Sequence, residues 1–128
     1  MFGPDGNLYV TSFGTNQVLR YNGTTGALLG TFVAAGSGGL SLPRGLTFGP
    51  DGNLYVGSFG SGDVLRYNGA TGAFIDDFVP SGRGGLGGPT FLAFFNASTT
   101  PAVPEPSAWL LLGSGLAGLA GWRRMKRL

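Results

Sequence analysis

Residues Phe2–Thr47 recur as Phe48–Ala93 without a gap, and 29 of the 46 paired positions are identical. The shared words are FGPDGNLYV (Phe2–Val10, Phe48–Val56), SFG (Ser12–Gly14, Ser58–Gly60), VLRYNG (Val18–Gly23, Val64–Gly69) and TGA (Thr25–Ala27, Thr71–Ala73). A third copy starts at Phe94. Repetition of this kind limits the fold more than any other feature. Each copy has to be one supersecondary unit that buries its faces against its neighbours. A period of 46 is in the range of a four-stranded unit, about 40–50 residues.

Turn residues divide each copy. Pro4-Asp5-Gly6-Asn7 reads as a hairpin turn, because proline fixes φ and glycine accepts a positive φ. Strands are expected at Leu8–Phe13, Gln17–Asn22 and Ala27–Val33, separated by Gly14-Thr15-Asn16 and Gly23-Thr24-Thr25-Gly26. A glycine-rich loop, Ala34–Pro43, then crosses to Gly45–Phe48, which opens the next unit. Apolar residues fall on both faces of these strands: Leu8 and Val10 on one, Tyr9 and Phe13 on the other. A sheet with one wet face alternates more cleanly. The pattern fits an all-β chain of about two four-stranded propeller blades, packed face to face.

The tail obeys different rules. From Pro106 through Trp122, 17 positions carry no charge. That is the lower edge of a membrane-spanning helix, roughly 17–25 residues. Trp109 and Trp122 lie near its ends, where indole favours the interface. Arg123, Arg124, Lys126 and Arg127 follow at once and mark the cytoplasmic side. The competing reading is a buried helix of a soluble protein, which does not account for the four cations. Within the span, Ser114 with Gly118 and Ala117 with Gly121 either permit close helix contact or simply weaken the helix. The chain therefore divides into repeats at 1–95, a Pro/Ser/Thr linker at 96–106, one transmembrane helix at 107–122 and a basic cytoplasmic tail at 123–128.

Charge follows the same division. The whole chain is formally +2. Residues 1–105 hold four arginines against six acids, and the last six residues contribute four cations. The basic balance belongs to the tail and gives no ground for nucleic-acid binding, which needs a basic patch on the folded part. Cysteine and histidine are both absent, so the chain offers neither thiol chemistry nor the usual proton shuttle of neutral pH. No catalytic residue, metal ligand or cofactor is expected.

Two resemblances follow from these residues. FGPDGNLYV and VLRYNGTTGA resemble propeller repeats of the NHL, streptogramin-lyase-like and gluconolactonase-like group, over Phe2 to about Phe95. The resemblance implies a propeller fold and leaves activity open, because such folds host many functions. Val103-Pro104-Glu105-Pro106-Ser107, with the apolar segment and basic end, resembles the PEP-CTERM sorting signal. It implies an exported bacterial protein whose Pro104, Glu105 and Pro106 are recognised by a membrane exosortase, often in species making extracellular polysaccharide. The expected location is the inner membrane with the repeats on the periplasmic side, then the cell surface or outside after processing. A ligand of the repeats, polysaccharide or protein, is a further implied partner. A secretory leader should precede such a protein. Met1 instead falls at the position of Thr47, in mid-repeat. The expectation is a piece of a longer chain, or a start codon placed too far downstream; its rival is several chains assembling into one ring.

Few residues in the repeats point to chemistry. Asp5-Gly6-Asn7 and Asp51-Gly52-Asn53 could offer oxygens to calcium, but turn geometry explains them without it. Arg44 follows Pro43 at the entry to an inner strand, where the next copy has Thr90; it is the one candidate ligand-binding residue, against simple drift between copies. Arg20 and Arg66 recur in both copies and read as structural, with Asp63 or Asp77 as expected partners. The glycine runs 36–39 and 82–88 lack the Lys-Ser/Thr and the helix of a phosphate loop. Asn22-Gly23-Thr24 and Asn96-Ala97-Ser98 fit a glycosylation pattern that is common by chance. Two function classes result: a binding or scaffold module carrying a sorting signal, or a hydrolase or lyase whose active residues lie in further blades.

Overall fold

Turn chemistry sets the element boundaries. In each copy the aspartate of Pro-Asp-Gly-Asn accepts the backbone N–H two residues on, Asn7 to Asp5 and Asn53 to Asp51, both at 3.0 Å. Gly6 and Gly52 take φ of 80° and 81°, where a side chain would be strained. Asn22 and Asn68 end the following strands, because their side chains accept the N–H groups of the residues two and three positions on, Thr24 and Thr25 or Ala70 and Thr71.

A computed structural model describes residues 1–95. Its strands are β1 (Leu8–Ser12), β2 (Gln17–Tyr21), β3 (Leu28–Val33), β4 (Pro43–Phe48), β5 (Leu54–Ser58), β6 (Asp63–Tyr67) and β7 (Phe74–Val79). They form two antiparallel sheets in the orders β1-β2-β3 and β4-β5-β6-β7. Two single 3-10 turns, Ser37–Gly39 and Arg83–Gly85, are the only helical elements among the described residues. The all-β reading and the repeat are both seen. β1, β2 and β3 correspond to β5, β6 and β7 at the 46-residue offset, with the same pairing register.

Three details differ from expectation. The first sheet has three strands rather than four. In place of an inner strand, Met1 exchanges backbone hydrogen bonds with Tyr9 and Phe2 bridges Leu8. The second difference is that Phe13, Asn22 and Ala27 lie just outside their strands. The third is that the inner strand begins at Pro43, two residues early. Pro43 opens an edge strand opposite Ser58, a position that tolerates the missing N–H. The expected transmembrane helix, and all of 96–128, lie outside the described residues; among those described, no helix is long and apolar enough to cross a membrane.

The sheets stack face to face. Tyr9, Val18 and Val33 of the first meet Leu54, Val56, Leu65 and Tyr67 of the second, with Leu40 of the crossing loop between them. The second sheet is sandwiched, since residues 89–94 cover its other side: a Cβ at Gly57 would touch Leu92 and Pro89, and one at Gly49 would touch Phe94. Its middle strand β5 is buried at all five positions. The same Leu-Tyr-Val in β1 is half-buried, buried and exposed in turn. Apolar residues on both strand faces are thus satisfied only where a sheet has two neighbours.

Candidate functional site

The candidate residue Arg44 is the second residue of β4. β4 presents it between two equivalent aromatic rings, Phe13 of the first copy at 4.9 Å and Phe59 of the second at 4.3 Å. Stacking over both rings is worth about 0.5–1 kcal/mol each at such an exposed place. The backbone carbonyl of Arg44 accepts the Thr11 hydroxyl at 2.6 Å. Arg44 therefore fastens the first sheet to the second. Among the described residues it makes no ion pair. It also edges an open hollow of about 270 Å³, lined chiefly by Tyr9, Val10, Thr11, Leu46 and Phe91.

Arg20 and Arg66 are structural, but their partners are not Asp63 or Asp77. Arg66 forks onto Asp76, Nε to Oδ1 at 3.0 Å and Nη2 to Oδ2 at 2.7 Å, and reaches Asp51 at 3.4 Å. Arg20 reaches only Asp5, at 3.7 Å. Strand register is the reason. Arg66 lies directly opposite Asp76, so Asp77 points to the other face. In the first copy Gly30 stands opposite Arg20 and offers no carboxylate. Asp63 accepts the Ser61 hydroxyl at 2.6 Å instead.

The Asp5 and Asp51 carboxylates are fully engaged in their turns. Asp5 accepts from the Asn7 backbone, the Asn7 side-chain amide and the Tyr9 hydroxyl, at 3.0, 3.1 and 2.8 Å. Asp51 repeats all three with Asn53 and Tyr55. Burial pulls the Asp5 carboxyl upward, but those donors and Arg20 outweigh it and hold it below the usual carboxylate value. The Asn53 backbone N–H leads the same lowering of Asp51. Donors around these oxygens favour the turn reading over a cation site. Among the described residues, no three metal-ligating side chains cluster. Asp77 goes the other way: burial, then Asp63, raises it.

Several structural residues were not singled out as such from the sequence. Tyr9 packs edge-on against Phe32 and Phe48, each at 5.0 Å, and Tyr55 against Phe78 at 4.9 Å and Phe94 at 4.6 Å. These tyrosines tie each sheet to the start of the next copy. Their identity in both copies was the available clue. Ser58 is buried and holds the crossing loop, accepting Ser41 N–H at 2.9 Å and donating to Ser41 C=O at 3.2 Å. Only the fold brings those residues together.

Pro104, Glu105 and Pro106, with Arg123, Arg124, Lys126 and Arg127, lie outside the described residues. There the sequence itself is informative: the PEP-CTERM protein-sorting motif matches residues 102–126. Motifs of this class are recognised by exosortase, a membrane enzyme, and go with proteins that are exported and processed for surface display. No curated protein matches the chain.

Proposed function

We propose that this chain is an exported envelope protein whose C-terminal signal is read by an exosortase through Pro104, Glu105 and Pro106, and whose repeats form blades of a β-propeller that serves as a binding or scaffold module. The match over residues 102–126 carries the sorting half. Proline at 104 and 106 keeps the motif out of helix and sheet, and Glu105 supplies a charged handle between them. The apolar stretch 107–122 spans the inner membrane, with the basic cluster inside and the repeats on the periplasmic side. The propeller half is supported by two sheets of one register, stacked face to face at a fixed period.

The repeats act without catalysis in this reading. Its support is how their carboxylates are used: Asp5 and Asp51 brace turns, and Asp76 neutralises Arg66. Arg44 is the candidate contact for an acidic sugar or peptide. Glu105→Ala, expressed in an exosortase-bearing host, leaves a full-length membrane-bound form, while the parent chain is shortened; normal processing of the variant refutes the sorting role. Metal-dependent turnover of a lactone by the repeats refutes the non-catalytic one.

A further inference from the structure

The backbone leading into Arg44 is largely engaged, while the Arg44 side chain is not. The Arg44 carbonyl accepts the Thr11 hydroxyl at 2.6 Å. The carbonyls of Ser41 and Leu42 accept the N–H groups of Gly60 and Phe59, at 2.9 and 3.2 Å. The Ser41 and Leu42 N–H groups donate to the side-chain oxygens of Ser58 and Asn16, and Pro43 has no N–H to offer. Among the described residues the guanidinium forms neither an ion pair nor a hydrogen bond. Arg44 is exposed, and its guanidinium lies over the rings of Phe13 and Phe59. Phe13 is 43% exposed, and Phe59 is only half-buried although β4 pairs beside it. Both rings belong to the repeated word Ser-Phe-Gly. The cation does not, since the next copy has Thr90 in its place. A charge is thus added where the same aromatic ring of two copies comes together.

We propose that Arg44, Phe13 and Phe59 form a binding site for a uronic-acid residue of an acidic polysaccharide. The proposal rests on the reading of the repeats as a binding module and narrows its ligand. A guanidinium offers its N–H donors in one plane, as a fork that matches the two oxygens of a carboxylate. Stacking on two rings holds that plane in place, so less freedom is lost when the fork closes on a ligand. A single guanidinium, with no second cation over these rings, suits a ligand unit of one negative charge. The exposed ring faces carry partial negative charge and are flat and apolar, which favours the C–H face of a sugar beside the carboxylate. An acidic peptide fits less well. An added strand needs free main-chain hydrogen-bonding groups, and the carbonyls of Ser41, Leu42 and Arg44 are already taken. Recognition at this place is left to side chains.

The test is calorimetric titration of the full-length chain, in detergent micelles, with oligogalacturonate, its methyl ester and polyglutamate. Oligogalacturonate binds and the uncharged ester does not. Arg44→Thr, which installs the residue of the next copy, weakens binding roughly ten- to a hundredfold, the range for a hydrogen-bonded charge pair. Arg44→Lys keeps the charge without the fork and falls between the two. Phe59→Leu weakens binding about threefold, through the lost stacking. Bound oligogalacturonate also raises the urea midpoint of the parent chain and not that of Arg44→Thr, a shift that a purely structural arginine does not produce. Three results overturn the proposal. One is no binding of oligogalacturonate. Another is binding that Arg44→Thr leaves unchanged, as capture by the basic end of the tail would. The third is Arg44-dependent binding of polyglutamate alone, which makes the ligand an acidic peptide and leaves the binding-module reading standing.

Discussion

Gly23 and Gly69 show what one side chain is worth. A Cβ at either would collide with a turn carbonyl oxygen, that of Gly6 or Gly52. Backbone cannot swing aside as a side-chain tip does. Gly69→Ala is expected to destabilise by about 1–3 kcal/mol, read from the urea midpoint. Gly26→Ala meets no atom and pays only for its φ of 79°. Tyrosines set the alkaline limit. Burial raises Tyr9, Tyr55 and Tyr67 above the usual 10.0. The folded state holds these protons more tightly than the unfolded state, so their contribution is complete below pH 10 and falls as pH rises beyond it. Circular dichroism through an alkaline titration should lose stability there, with Tyr67 among the last tyrosines to ionise by absorbance, as its ring is fully buried and Asp63 adds negative charge nearby. Asp5 and Asp51 act at the other end: their lowered values give stability above 3.8 that is lost as pH falls below it.

At the scale of the strand, identical words meet different surroundings. β1 and β5 share Leu-Tyr-Val, but Val56 is fully buried while Val10 is 38% exposed. Val56→Ala is expected to cost about 2 kcal/mol, and Val10→Ala less than about 1 kcal/mol, in parallel urea melts of the full chain. A second pair makes the same point with a polar residue. Ser58→Ala strands the Ser41 N–H and is expected to cost about 1–3 kcal/mol. Ser12, at the same place in the first copy, bonds only Thr15 and should be nearly neutral. The loops repeat more faithfully than their residues. Asn16 and Leu42 take φ of 59° and 49° where the second copy has Gly62 and Gly88. Asparagine tolerates that region; leucine there stores about 1–2 kcal/mol of strain, and the Asn16 side chain steadies it by accepting Leu42 N–H at 2.7 Å.

For the whole molecule, the described second sheet is packed on both faces, by the first sheet on one and by residues 89–94 on the other. The strand content was legible because turn residues punctuate each copy, and the copies check one another. The tail was legible because a charge-free run followed by four cations needs no fold to be noticed. The partners of Arg66 were not legible: Asp76 and Asp77 are adjacent in the chain, and only strand register turns one toward the guanidinium and the other away. Arg44 was noticed for breaking the repeat, whereas its seat between Phe13 and Phe59 depends on how two sheets stack. By itself, then, the sequence determined the repeat, its strands and turns, and the sorting motif at 102–126, because these depend on neighbours a few residues away or on composition. Tertiary structure alone decided which copy of a word is buried among the described residues and which carboxylate each arginine meets, because those depend on contacts between distant segments.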